Sequence, residues 1–101
     1  MRLDREKIRK HLCIKALAEK YGANGWRQVG GGKLLGLCPF HADTNPSLWV
    51  DLHEGRFKCF GSCDEPTFGD VFTMIAKAEG LDASTEFRKI LEIAQAEVNH
   101  G

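Results

Sequence analysis

The chain is 101 residues long, 43% hydrophobic, with 14 lysines and arginines balanced by 14 aspartates and glutamates. Zero formal charge argues against indiscriminate binding to polyanions, and the length fits one domain whose core is marginal unless something staples it. No segment approaches the roughly 20 consecutive apolar residues needed to cross a bilayer, so no membrane role is expected.

The neutral total hides a split. Residues 1–37 carry nine Lys/Arg against three Asp/Glu, and residues 38–101 carry five against eleven, which leaves room for one locally basic surface. In chain order, Ile8, Leu12, Ala16 and Leu17 recur at helical spacing, with Asp4 placed to cap and Tyr21-Gly22 to terminate. The pattern predicts a helix over about 4–20, in which Cys13 is a small buried hydrophobe. Trp26 to Val29 and Lys33 to Leu37 flank Gly30-Gly31-Gly32 and read as a hairpin. Gly32-Lys33 does not make a phosphate loop, because Arg27 stands at the required first glycine and Leu34 replaces the Ser/Thr.

Ser47 to Leu52 alternates, placing Leu48, Val50 and Leu52 on one face and Ser47, Trp49 and Asp51 on the other. Arg56 to Cys59 alternates likewise, with Phe57 inward and Arg56 and Lys58 outward. Phe68, Val71, Phe72, Ile75 and Ala78 mark a helix over about 69–79, ended by Gly80. Phe87, Ile90, Leu91 and Ala94 mark another over about 84–97, with Asp82 or Ser84 as its cap. The fold expected is α+β: a small zinc ribbon with a core at about 26–63, an antiparallel β-sheet flanked by helices, one domain over residues 1–101.

The ribbon rests on two donor pairs. Cys38-Pro39-Phe40-His41 and Cys59-Phe60-Gly61-Ser62-Cys63 each place two ligands on one tight turn, and together they supply the Cys3His set of a structural zinc ion. The second pair is C-x3-C, so its turn is one residue longer than the common spacing. The competing reading is buried thiols or disulfides. The chain opens without an apolar signal-peptide core, which points to a reducing, cytoplasmic setting and to metal. Cys13, His53, His11 and His100 lack a second donor at turn spacing and are set aside. One Zn2+ per chain on Cys38, His41, Cys59 and Cys63 is expected, with all three thiols bound as thiolates. Four protein ligands close the coordination sphere, which excludes a catalytic zinc.

These residues carry a resemblance. CPFH, NPSLWV, FKCFGSC and FGDVFTMIAKAEGLD resemble the N-terminal Cys-His-Cys-Cys zinc-binding domain of bacterial (DnaG-type), phage and plasmid DNA primases, over about Asp4 to Ala94. The resemblance places Cys38, His41, Cys59 and Cys63 on the family's four ligand positions, and Pro46-Ser47 and Gly69-Asp70 on its Pro-Ser and Gly-Asp positions. The chain departs from the family where Thr44 replaces a common basic residue and Leu48 an aromatic one. Its longer second turn and Asp64-Glu65 look more like mobile-element primases.

The resemblance implies a non-catalytic module that reads single-stranded DNA template for primer initiation, with a separate primase polymerase core or a replicative helicase as partner. No Asp-x-Asp follows Glu79-Gly80, where a catalytic carboxylate cluster would be sought. The outward sheet face, with Trp49, Arg56 and Lys58 joined by Lys33, combines a stacking surface with cations for the backbone. Two alternatives share the scaffold: a zinc-stapled protein-interaction module that docks a helicase or polymerase, and a redox or metal-sensing switch. A solvated face with one exposed Trp is the plain reading of the same residues.

Overall fold

The computed structural model describes residues 5–40, 46–61 and 66–100. Their elements run α1 (Arg5–His11), α2 (Ile14–Lys20), β1 (Asn24–Gly30), β2 (Lys33–Leu37), β3 (Leu48–Asp51), β4 (Arg56–Cys59), β5 (Phe68–Asp70), α3 (Val71–Glu79) and α4 (Phe87–His100). The strands form one antiparallel sheet in the order β1-β2-β3-β4-β5, each paired with its sequence neighbour.

The single N-terminal helix expected over 4–20 is two helices, broken at Leu12-Cys13, where Cys13 is extended (φ −80°, ψ 122°). The reason lies in the apolar residues. At about 100° per residue, one continuous helix would point Ile8 and Leu12 away from Ile14, Leu17 and Ala18. All five are buried, and the break lets both sets reach one core. It also leaves Cys13 exposed, not buried as expected. The expected Asp4 cap lies outside the described residues.

The glycine hairpin forms as expected, with Gly30 paired to Lys33 across the turn. Gly32 adopts φ 68°, and a Cβ there would also strike the His53 ring at 2.5 Å. In β3 and β4 the inward residues Leu48, Val50 and Phe57 are at most 1% exposed. Burial of such side chains stabilises by about 1.5–3 kcal/mol each. The alternation ends one residue earlier than the pattern suggested. Leu52 lies in the turn and is exposed, whereas Asp51 is buried because its Oδ1 accepts the amides of His53 (2.9 Å) and Glu54 (3.1 Å) and closes that turn.

Phe68 is not part of a helix. It begins β5, a strand absent from the sequence expectation, which extends the sheet beyond residue 63 to Asp70. Helix α3 follows directly: Asp70 caps it by accepting the amides of Phe72 and Thr73, both at 3.1 Å, and Gly80 ends it in the left-handed region at φ 67°. Asp82 caps the turn that precedes α4, accepting from the Ser84 and Thr85 amides, so the helix starts at Phe87, later than expected. Phe72 meets Phe87 edge to face at 5.5 Å, joining α3 to α4. Ile90 and Ala94 complete the core, and the helices cover the inner sheet face. No helix among the described residues is long and apolar enough to cross a membrane.

Candidate metal centre and nucleic-acid face

Strand directions place the donor-bearing turns together. Strand β2 ends at Leu37, β3 starts at Leu48, and β4 ends at Cys59, with Gly36 paired to Leu48 and Leu48 to Cys59. The segment after Cys38 and the segment after Cys59 therefore leave from the same end of the sheet. Cys38 and Cys59 are each 5% exposed. Two buried soft donors at one sheet end, with two further donor-bearing segments leaving from that end, fit the tetrahedral thiolate and imidazole chemistry of zinc. His41 and Cys63 lie outside the described residues, as do Thr44 and Asp64-Glu65.

Helix α3 buttresses both turns through one side chain. Lys77 Nζ donates to the Pro66 carbonyl at 2.9 Å and stands 5.3 Å from the centroid of the Phe40 ring. It thus touches the first donor-bearing segment at Phe40 and, at Pro66, the segment that follows the second.

The uncovered face of the sheet is organised in rows. Arg27 pairs with Leu35, Leu35 with Trp49, Trp49 with Lys58 and Lys58 with Phe68, so these five residues form one row across all five strands. A second row runs Lys33, Asp51, Arg56, Asp70. Side chains two apart on a strand share a face, so both rows lie on the same outward surface. Lys33, Trp49, Arg56 and Lys58 are therefore brought together: Trp49 is half-buried and the three cations are exposed. Lys58 Nζ lies 5.2 Å from the Phe60 ring centroid. The Arg56 guanidinium makes no hydrogen bond or ion pair among the described residues.

The two acids in the second row are engaged with backbone. Amides of Glu54 and then His53, together with the charges of Lys33 and His53, hold the Asp51 carboxyl below its ordinary value despite its burial. Asp70 is the α3 cap. Both stand directly across from Arg56 in the register, one on each side. Sequence reasoning missed Phe68, which is 62% exposed, and Arg27 in the same row. The signal for Phe68 was present in Pro66-Thr67-Phe68, an extended tripeptide before the Gly69-Asp70 cap, but it was absorbed into the helical pattern.

A zinc-ribbon class of domain is what this sheet, its paired cysteine turns and its flanking helices define. The chain belongs to the CHC2 zinc finger family, the N-terminal zinc-binding domain of DnaG-type primases, whose profile matches residues 4–101. It is 36% identical over 93 residues to the DNA primase of Mycobacterium leprae, covering 92% of this chain and 13% of that protein. It is 37% identical over 87 residues to the DNA primase of Streptomyces coelicolor, covering 86% of this chain and again 13% of the relative. The chain thus spans a small part of the length of these curated relatives. Its fold is similar to a part of the solved Aquifex aeolicus primase structure, which comprises zinc-binding and RNA polymerase domains, with TM-score 0.64 and 24% identity, over 94% of this chain and 22% of that one.

Proposed function

We propose that this chain is the zinc-stapled template-reading module of a bacterial DNA primase. It holds one structural Zn2+ on Cys38, His41, Cys59 and Cys63, and engages single-stranded DNA through Lys33, Trp49, Arg56 and Lys58. It acts in the cytoplasm as a partner of the primase polymerase core or the replicative helicase, and is not catalytic alone. The observation that carries this reading is the alignment of Trp49 with Lys58 on adjacent strands, beside Arg56, on the sheet face that no helix covers. Aromatic platforms interleaved with cations bind single strands by base stacking and phosphate neutralisation. Asp51, Asp70 and Asp82 serve as turn and helix caps, which supports a module without a carboxylate-bound catalytic metal.

With three cations in the site, neutralisation of up to three phosphates gives a slope of log affinity against log salt near about −2. Titration of a labelled single-stranded oligonucleotide at stepped salt, with the parent chain and with Trp49→Ala, Arg56→Ala and Lys58→Ala, tests the reading. Each substitution should weaken binding, and the two cation removals should also flatten the slope. A chain that binds no strand at low salt, or binds with indifference to all three positions, is instead a protein-docking module. The 62% exposure of both Phe60 and Phe68 is the observation that favours that second reading.

A further inference from the structure

We propose that the outer face grips one unstacked nucleobase edge-in between Trp49 and Phe68, an inference that rests on the single-strand reading above and refines it. The register sets the width. Trp49 and Phe68 both pair with Lys58, from opposite sides, so the two aromatic residues flank β4 on the same face. Neighbouring strands lie about 4.8 Å apart, which puts the two stems about 10 Å apart, enough for a flat base between two rings.

The middle position is not filled. Lys58 would occupy the gap if it stood upright, but its ammonium leans over the Phe60 ring. What remains is a surface depression of about 240 Å³ lined by Trp49, Arg56, Phe57, Lys58, Phe68 and Gly69. Its side walls are aromatic and its rim carries the Arg56 guanidinium, which has no partner among the described residues. Aromatic walls with a cation beside them complement a base and its own phosphate, and they do so for any base because every base has a π-face. A base held in a duplex stack offers no free face, so the slot selects single strands.

The exposure of Phe68 fits no packing role. It stands on the edge strand and, among the described residues, is not one of the hydrophobics packed against the core.

The test compares two labelled strands of about 12 nucleotides, within the site sizes usual for single-strand binders, one carrying bases and one fully abasic. The parent chain should prefer the base-bearing strand. Phe68→Ala and Phe68→Leu should each cut affinity for that strand about ten- to hundredfold while leaving abasic binding unchanged. Phe68→Tyr, which keeps the π-face, should bind like the parent. Circular dichroism of each variant separates loss of the slot from loss of the fold. If Phe68→Leu, folded, keeps the full preference for bases, the slot is wrong and a platform on Trp49 alone stands. If the parent binds neither strand, the template-reading function fails, and the slot with it.

Discussion

Lys77 stands with its ammonium 5.3 Å from the centroid of the Phe40 ring, and the same nitrogen donates to the carbonyl of Pro66 at 2.9 Å. One side chain on α3 thereby joins the turn that begins at Cys38 to the segment that follows Cys63. A cation over an aromatic ring contributes about 0.5–1 kcal/mol, and a charged hydrogen bond about 1.5–3 kcal/mol where it is shielded from water. Lys77→Ala is expected to lower unfolding stability by about 1–2 kcal/mol. Lys77→Arg, which can keep both contacts, should lose less. Urea midpoints of the zinc-loaded chains give the comparison, and equal midpoints for Lys77→Ala and the parent would remove the buttress.

Metal analysis should find one zinc per chain, lost on alanine substitution of Cys38, His41, Cys59 or Cys63 and retained in Cys13→Ala. Cys13 is exposed at the break between α1 and α2, away from the paired turns. Structural zinc contributes an apparent ~10–16 kcal/mol in small zinc-finger peptides, against about 5–15 kcal/mol net for an ordinary domain. Chelation should therefore collapse the amide dispersion of β2, β3 and β4. Dispersed signals from these strands in a metal-free sample would contradict a folding role for the ion.

Gly36 is set by its neighbour. A Cβ there would lie 2.6 Å from Trp26 Cε3 and 3.0 Å from the Asn24 carbonyl oxygen, and the latter is backbone that cannot turn aside. Gly36→Ala should destabilise by about 1–3 kcal/mol through overpacking. Thermal unfolding compared with Gly31→Ala, where a Cβ meets nothing within 4 Å, provides the control.

Acid should weaken the turn into α4. The Ser84 hydroxyl and amide and the Thr85 amide hold the Asp82 carboxyl below its ordinary value, and the Asp82 amide and Lys89 do the same for Glu86. A depressed folded-state value means that the stabilisation is fully present above the ordinary carboxylate range, and is lost as pH falls through the lower folded values. Urea midpoints followed from neutrality to below about pH 4 should fall more steeply for the parent than for Asp82→Asn. Parallel curves would show that Asp82 contributes nothing that acid can remove.

Elements with strong local signals were legible from the chain. The hairpin at Gly30 to Gly32, the alternation of β3 and β4, and the Gly80 stop of α3 each follow from residues a few positions apart. The break at Cys13 was less visible because both halves of the segment have helical spacing. Only the direction in which Ile8 and Leu12 must point, relative to Ile14 and Leu17, separates them. Asp51 likewise alternates outward in the pattern, yet two amides of the following turn draw it under cover.

The amino-acid sequence by itself shows two candidate donor pairs, Cys38 with His41 and Cys59 with Cys63, because two or three intervening residues are the spacing at which one turn can offer two ligands to one ion. It also determined that Trp49, Arg56 and Lys58 stand on the face opposite Leu48, Val50 and Phe57, since side chains alternate along any strand. Tertiary structure decided what stands beside what. Strand β5 is three residues long and carries no periodicity of its own, so it exists only through its pairing with β4. That pairing places Phe68 across from Lys58 and Trp49, because cross-strand neighbours are set by register, and register belongs to the assembled sheet.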